Sequence, residues 1–264
     1  MMSSFFILKN ENLRKGVKFM GDHVVTLWTW NLFGIQLPIT NVLVMSWIIM
    51  GVIILWAFVS TRKMRDVPKG LQNSAEIVVD AVNNFAENLI GKEGKKYAPY
   101  LGTVGAFLAI SNTIGGLFMS EITNGIICPP TRTLAVPVAL ALMTITIAIG
   151  SGIKKKGLWG FIKRLFKPMP VMFPFNLLDF IIKPLSLGLR LFGNIFGAYV
   201  AMELLFKAIP WGLPAIASLY FDIFDGGLQT FVFVLLTGLY IGEEIEEEEE
   251  EPVKKPNYEM EVSA

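Results

Sequence analysis

The sequence predicts an all-α membrane protein with about five transmembrane helices, the last two of them long, and one amphipathic interfacial helix. Hydrophobic residues make up 53% of its 264 residues and charged residues only 17%, against about 25% charged residues in soluble domains. The apolar residues are concentrated in blocks of roughly 20 or more, the length that crosses a hydrocarbon core about 30 Å thick. These observations exclude an ordinary soluble enzyme and a disordered chain.

Five stretches are long and apolar enough to cross a membrane. Residues 39–60, 100–120 and 134–152 contain no charged residue. Residues 173–206 exceed a simple crossing and contain four charged residues, and residues 213–242 contain two aspartates. Because lipid cannot satisfy backbone hydrogen bonds, we expect each stretch to be helical.

Two further segments are expected to lie at the membrane surface. Residues 72–89 place Ile77, Val78 and Phe85 at helical spacing, with polar residues between them. Residues 158–166 combine aromatic and basic side chains. Both patterns are typical of helices that bury one apolar face in the interface.

Basic residues predict the orientation and the division into regions. Lysines and arginines follow the first stretch, precede the second and separate the third from the fourth, whereas the turn at residues 128–131 has none. The positive-inside rule then places the N-terminus outside and the C-terminus in the cytoplasm, although Lys9, Arg14, Lys15 and Lys18 oppose this. We expect an outer segment at 1–38, a membrane domain at 39–242 and a disordered acidic tail at 243–264.

Several kinds of site are excluded by composition. The 23 Lys and Arg residues nearly balance 22 Asp and Glu residues, so there is no basic surplus for nucleic acid. Cys128 is the only cysteine and His23 the only histidine, which excludes an intramolecular disulfide and a multi-cysteine metal site. Phosphate-binding, metal-binding and nucleophile motifs are absent, so we expect no cofactor and no metal.

Arg190 is the most informative residue, because it is the only charge between Lys183 and Glu203 in an apolar segment. A charge at the centre of a membrane helix costs about 2.5–3.5 kcal/mol. Arginine remains protonated in proteins and therefore keeps this charge permanently. A role in ion movement is favoured over simple packing against a carboxylate.

Helical geometry sorts the other polar residues, at about 100° per residue. Tyr199 and Glu203 lie opposite Arg190. Asp222, Asp225 and Gln229 form one polar stripe along the last stretch. An alternative interpretation of the two aspartates is that they simply face water at the membrane interface. Three polar residues share the face of Arg190 if the helix is straight: Asp179, Lys183 and Asn194.

Residues 183–194, KPLSLGLRLFGN, resemble the signature of subunit a of F-type ATP synthases. Weaker matches occur in the same order, at Val67-Pro68 with Gln72 and Glu76, and at Leu228-Gln229 followed by residues 231–237. The resemblance covers residues 67–242. It implies a membrane stator subunit that is not itself an enzyme and that forms two ion half-channels against a rotating ring of c subunits.

In this resemblance, Arg190 is the fixed charge that attracts the ring carboxylate and separates the half-channels. Asn194 matches the asparagine of the motif, Gln229 a polar position facing the arginine, and Asp179 an acidic position before the Lys-Pro step. Tyr199 departs from the family, since many relatives have an acid there. The carboxylate one turn later, Glu203, and Asp222 are expected to line the outer half-channel together.

The resemblance also implies partners and location. The last two helices would lie tilted against the c-ring, and the peripheral-stalk b subunit, the remaining synthase subunits and membrane lipid would be further partners. The transported ion would be a proton, or Na⁺ if the ring carboxylate binds it. A bacterial plasma membrane is expected, since no signal or transit sequence is evident.

Two alternatives remain open from the sequence. An independent secondary transporter is compatible with helices broken near Pro184 and Gly193, although no internal repeat of the Arg190 segment is visible. A membrane enzyme is disfavoured, because no catalytic motif is present.

Overall fold

The computed structural model of the chain describes residues 26–32, 35–62, 69–114, 127–166, 173–209 and 212–245. Short 3₁₀ segments lie at Gly91–Lys96 and Pro130–Arg132, and a π-helical segment lies at Leu219–Asp225. The strands and α-helices are β1 (Thr26–Leu32), β2 (Ile35–Thr40), α1 (Asn41–Thr61), α2 (Leu71–Ile90), α3 (Ala98–Ile114), α4 (Ala135–Leu165), α5 (Phe173–Ala208), α6 (Leu213–Ser218) and α7 (Gly226–Ile245).

The predicted all-α membrane architecture is confirmed. Within the described ranges, four helical segments are long and apolar enough to cross a membrane: Asn41–Thr61, Ala135–Lys163, Phe173–Ala208 and Ile216–Ile245. The second predicted span, residues 100–120, begins in α3 and continues beyond Ile114 outside the described residues. The N-terminal 25 residues with His23, the Val67-Pro68 match and residues 246–264 also lie outside them.

A two-stranded antiparallel hairpin precedes the first helix and was not predicted from the sequence. β1 pairs with β2, with Leu32 opposite Ile35 and Thr26 opposite Thr40. Thr40 then caps α1, because its Oγ1 accepts a hydrogen bond from the Leu43 amide at 3.4 Å. The first predicted span therefore starts two residues late, at Asn41, since residues 39 and 40 belong to the strand.

α1 is apolar on all sides but is packed against the protein only near its start. Val42, Met45 and Ile49 are buried, whereas Ile54 and Phe58 are 68% and 62% exposed. Only 11% of its most apolar window is buried within the protein. A helix that is hydrophobic all round and so little covered by protein requires lipid around it.

The amphipathic helix α2 matches the predicted interval 72–89 to within one residue at each end. Its second half packs into the bundle through Ala86 and Ile90, and Leu89 lies against Gly238 of α7. Gly91, at φ 77°, ends the helix in a conformation that favours glycine, and its amide donates to the Glu87 carbonyl. The chain then folds back closely, since a Cβ at Gly94 would meet the Ala86 carbonyl.

The core lies between α3, α4, α5 and α7. Leu108, Leu191 and Phe233 are fully buried at its centre. A short polar chain crosses it, because the Tyr100 hydroxyl lies 2.9 Å from Thr144 Oγ1, which lies 3.5 Å from Thr237 Oγ1. These hydroxyls join α3, α4 and α7 where backbone groups are already occupied within each helix.

The helix α4 is interrupted at Gly157, where φ is 72° and ψ is 162°. Residues 158–165 continue beyond this break as a helical extension, with Trp159 84% exposed and Phe161 buried beside Phe180. By contrast, α5 continues through Pro184 without such a break.

The bundle has two chemically different ends. We define the lysine end by Lys154, Lys155 and Lys156 of α4, where the last turn of α7 packs beside Gly152. The proline end is defined by residues 128–132, which lie against the second half of α5. α7 extends to Ile245, so its last three residues belong to the interval predicted as an acidic tail, and two of them, Glu244 and Ile245, are buried.

Candidate functional site

Arg190 lies on an exposed face of α5 that is otherwise made of small side chains. We call this surface the arginine face; its members recur every three or four residues and are all exposed: Ser186, Arg190, Gly193, Gly197 and Ala201. A Cβ at Gly193 or Gly197 would meet nothing within 4 Å. Small residues at this spacing let a second helix approach closely in a membrane.

The guanidinium of Arg190 has no hydrogen bond and no ion pair among the residues that the structure describes. It lies near the middle of the 36 residues of α5, roughly 10 Å along the axis from Lys183 and about 20 Å from Glu203. A permanent positive charge is thus presented at the centre of an apolar helix, away from the protein core.

The opposite face of α5 is covered near the proline end. Tyr199 is 3% exposed and packs in a cluster with Ala198 and Met202. The Arg132 guanidinium carbon lies 3.3 Å from the centroid of the Tyr199 ring. This is a close cation–π contact on a buried ring, and it places a second arginine against α5.

Glu203 follows Tyr199 by one turn on the same side of the helix. Its Oε1 accepts a hydrogen bond from Lys207 Nζ at 2.7 Å, and the Glu203 side chain is 22% exposed while that of Lys207 is 68% exposed. The carboxylate is therefore largely covered, while its lysine partner reaches solvent or lipid headgroups.

The two aspartates of the last span line a small cavity at the proline end. Asp222 and Asp225 border it together with Asn112, Ala198 and Pro129. Its volume of about 20 Å³ is sufficient for one water molecule. Both aspartates belong to the π-helical segment, which widens the turn and alters the stripe expected from α-helical spacing.

Asn112 holds three elements together beside this cavity. Its Nδ2 donates to the Gly226 carbonyl at 3.1 Å and to Thr230 Oγ1 at 3.4 Å, and its Oδ1 accepts from Thr131 Oγ1 at 2.9 Å. Asn112 is 6% exposed and Thr131 is fully buried. This one side chain thus fixes α3, the start of α7 and the Pro130–Arg132 segment relative to one another.

Cys128 is buried at the proline end and accepts a hydrogen bond from Asn41 Nδ2 at 3.4 Å. Burial raises the pKa of the Cys128 thiol, although the nearby Arg132 charge acts in the opposite direction. The thiol is therefore kept in its neutral, unreactive form. Among the described residues, no group of three or more His, Cys, Asp or Glu side chains could hold a metal ion.

Gln229 is buried and does not share the exposed surface of Arg190. It is 4% exposed, and its Nε2 has no hydrogen-bond partner within the described part of the chain. A buried amide donor without a partner is costly, by about 1–3 kcal/mol. Such a group is a candidate for contact with water or an ion on a path through the protein.

The earlier half of α5 carries two further predicted residues toward the lysine end, and a third lies near its middle. Lys183 Nζ lies 2.8 Å from Glu243 Oε2 and 5.4 Å from the centroid of the Tyr240 ring, so this lysine faces α7. Asp179 is exposed, one turn before it, and Asn194 is half-buried beyond Arg190. The structure therefore separates Asp179 and Lys183 from the proline-end cluster of Tyr199, Glu203 and the two aspartates, whereas Asn194 lies between the two groups.

Two residues of the proline end were not identified from the sequence. Arg132 could have been found as the only Lys or Arg between Lys96 and Lys154. Asn112 offers no such signal, because an asparagine in an apolar helix is informative only when its partners are known.

Comparison with known proteins identifies a family. The family model described as ATP synthase A chain matches residues 43–242. The chloroplastic ATP synthase subunit a of Stigeoclonium helveticum is 35% identical over 232 residues, 86% of this chain and 92% of that relative. The ATP synthase subunit a of Moorella thermoacetica is 38% identical over 205 residues, 78% of this chain and 90% of the relative.

A further relative, from Propionigenium modestum, is named ATP synthase subunit a, sodium ion specific. It is 39% identical over 214 residues, which are 77% of this chain and 73% of the relative. The range matched by the family model, 43–242, contains the whole arginine face and every residue of the proline-end cavity.

Proposed function

Because the chain belongs to the family of ATP synthase subunit a, we propose that it forms two ion half-channels against a rotating ring of c subunits, with Arg190 as the charge that separates them. The resemblance noted at residues 183–194 is confirmed at the level of the family. In this proposal the chain is a non-catalytic stator subunit, and ATP is made elsewhere in the complex.

The observation that carries this proposal is the exposed arginine face. Arg190 projects from the middle of an apolar helix and has no ionic partner among the described residues. A charge in hydrocarbon costs about 2.5–3.5 kcal/mol, so a partner of opposite charge is expected from another subunit. The small residues on either side allow a ring helix to bring its carboxylate within reach of the guanidinium.

The ring carboxylate would have to discharge its ion before passing Arg190, because an ionised carboxylate is the form that the arginine attracts. The ion would enter or leave at the proline end. There it would pass along the carboxylates of Asp222, Asp225 and Glu203, beside Tyr199. The part of the path nearer Arg190 and the lysine end would be lined by the remaining predicted residues, Asp179, Asn194 and Gln229.

We infer that the lysine end faces the cytoplasm, since Lys154, Lys155 and Lys156 follow the positive-inside rule. The proline end is then the outer side, the C-terminus is cytoplasmic, and the membrane is a bacterial plasma membrane. The b subunit of the peripheral stalk and the remaining synthase subunits are the other expected partners.

The ion is proposed to be a proton. The described polar groups include separate carboxylates and a cavity for a single water, which suit proton transfer between titratable groups. Na⁺ is the second candidate, favoured by the similarity to the relative named as sodium ion specific. Because Na⁺ needs several oxygen ligands at once, the ring carboxylate and its neighbours would determine this choice.

A cross-linking experiment tests the proposed surface. Cys128 is the only cysteine and is buried, so a Gly197→Cys variant would carry one exposed thiol, on the arginine face. Labelled with a maleimide photo-cross-linker in the assembled complex, it should yield a product with a small c subunit that contains a membrane carboxylate. An Ile54→Cys variant on the exposed side of α1 is the matched control.

The proposal fails if the Gly197→Cys product lacks a ring subunit while the complex is intact. It also fails if the Ile54→Cys variant is linked to the ring as efficiently. Mass spectrometry of the linked subunit would give its sequence and therefore its ion-binding residues.

Glu203→Gln is expected to slow ion flux several-fold without uncoupling it from ATP synthesis. The variant removes a titratable relay but leaves Arg190, and with it the barrier between the half-channels, unchanged. Lys207→Gln is the matched control, because it removes the partner of Glu203 in the 2.7 Å pair and keeps the carboxylate. Unchanged flux in Glu203→Gln vesicles would remove Glu203 from the path.

A further inference from the structure

Residues 158–166, which follow the break in α4, are fastened by one face to the start of α5, and we call them the α4 extension. Phe161 is buried, and its ring centroid lies 5.9 Å from that of Phe180. The Leu165 carbonyl accepts a hydrogen bond from Asn176 Nδ2 at 2.9 Å. The first turns of α5 therefore determine which way this short helix faces.

A second face of the α4 extension is apolar and exposed. At about 100° per residue, four large side chains fall within an arc of about 100° that does not include Phe161. They are Leu158, Trp159, Ile162 and Phe166, and Trp159 is 84% exposed. Such a face at the end of a membrane-spanning helix is typical of insertion between headgroups and acyl chains, and tryptophan is enriched at that depth.

The charged residues around the α4 extension are all basic. Residues 154–167 contain six Lys and Arg residues and no Asp or Glu. Lys154, before the break, and Lys163, after it, are exposed, and their ammonium groups have no ion pair or hydrogen bond within the described part of the chain. A cluster of about 4–8 basic residues at the end of a membrane-spanning helix is typical of sites that bind anionic lipid headgroups.

Carboxylates on the neighbouring elements do not cancel this charge. Glu93 and Glu243 are each held within 3.6 Å by lysines other than these two, and Asp179 of α5 is an exposed carboxylate at this end. Lys154 and Lys163 therefore keep a surplus of positive charge beside an exposed apolar face. This combination is complementary to a lipid with an anionic headgroup, because a lysine can lay its stem along apolar surface while its ammonium stays in water.

We propose that the α4 extension is a binding site for anionic phospholipid at the lysine end, with its exposed apolar side chains among the acyl chains and Lys154 and Lys163 at the phosphate. This inference goes beyond the proposed function and does not depend on the path of the ion. Because the extension is fastened to the first turns of α5, the bound lipid would also hold the start of the helix that carries Arg190.

Photo-cross-linking with lipid analogues in the reconstituted complex tests this inference. The vesicles would contain a trace of phospholipid with a diazirine near its headgroup, either anionic phosphatidylglycerol or zwitterionic phosphatidylcholine. Mass spectrometry of the digested chain would locate the adducts. The anionic analogue should label residues 158–166 several-fold more than the zwitterionic one, and its excess should fall as salt is added, because salt screens exposed charges.

Two lysine variants show whether the positive charges carry the preference. Lys154→Gln and Lys163→Gln should each lower the labelling by the anionic analogue about fivefold, and leave the labelling by the zwitterionic analogue nearly unchanged. Both side chains are exposed, so the complex should assemble. Lys69→Gln, which removes an exposed lysine before α2, is the matched control and should leave both signals in place.

Equal labelling of residues 158–166 by the two analogues in the intact complex would overturn the inference. A carbodiimide, which joins an amine to a carboxylate in contact with it, tests the competing occupants. A product that joins Lys154 or Lys163 to another subunit, or to the glutamates at 246–251, without an excess of anionic lipid adduct would assign these lysines to a protein partner and would also overturn it. If the lysine variants do not assemble, the salt titration of the unaltered complex decides, and labelling that is independent of salt would count against the inference.

Discussion

Arg190→Ala is expected to abolish ion-coupled ATP synthesis while the protein still inserts and assembles. The side chain is exposed and has no ionic partner among the described residues, so its removal leaves the packing of the bundle unchanged. Alanine is also the best helix former. Loss of one partner of an intramembrane ion pair costs roughly 3–5 kcal/mol, which corresponds to a fall in coupled rate of more than about a hundredfold.

Coupled synthesis and passive ion leak should be measured in the same vesicles. The leak is expected to rise, because nothing then separates the two half-channels. Ser186→Ala, one turn away on the arginine face, is the matched control and should retain synthesis. Robust coupled synthesis in the Arg190→Ala complex would refute the role proposed for this residue.

Asn112→Leu is expected to destabilise the proline end by about 2 kcal/mol or more, because it leaves buried polar partners unsatisfied. The Thr131 hydroxyl loses its acceptor and the Gly226 carbonyl loses one of its donors, although Thr230 Oγ1 still donates to that carbonyl at 2.9 Å. The Pro130–Arg132 segment would lose its side-chain hydrogen bond to α3. The unfolding temperature of the purified complex should therefore fall, together with flux through the outer half-channel.

Thr103→Val is the matched control for a polar side chain in the same helix. Its hydroxyl donates to the Pro99 carbonyl of its own helix at 2.7 Å and is exposed, so no other element depends on it. An unfolding temperature for Asn112→Leu equal to that of Thr103→Val would show that the three hydrogen bonds of Asn112 contribute little.

The long elements of the fold could be predicted because length and periodicity determine them. The predicted interval 173–206 agrees with α5 (Phe173–Ala208), and 72–89 agrees with α2 (Leu71–Ile90). A run of apolar residues long enough to cross a membrane has few alternatives to a helix. Agreement at such elements follows from the physics of lipid as a solvent.

The interruptions of the fold could not be predicted, because they depend on local backbone geometry. Gly157 breaks α4 with a positive φ of 72°, yet other glycines such as Gly150 continue a helix without a break. The hairpin of β1 and β2 depends on pairing between two short segments, which carry no strong periodic signal of their own.

The residues of the candidate site also differ in how far the sequence predicts them. Arg190 could be singled out because a lone charge in an apolar stretch can be recognised from the sequence alone. The Arg132–Tyr199 contact joins residues far apart in sequence, and Asn112 meets Gly226 across 114 positions. Such pairs become visible only when the helices are packed together.

The π-helical segment Leu219–Asp225 joins α6 to α7 and determines how far α6 is rotated about the helix axis relative to α7. Its hydrogen bonds join residues five apart, so the turn holds one residue more than an α-helical turn. Deleting a single residue there would restore an ordinary helix and rotate α6 by about 100° relative to α7. The extra residue therefore determines which side of the segment the acidic groups occupy, independently of the side chains that anchor α7 in the core.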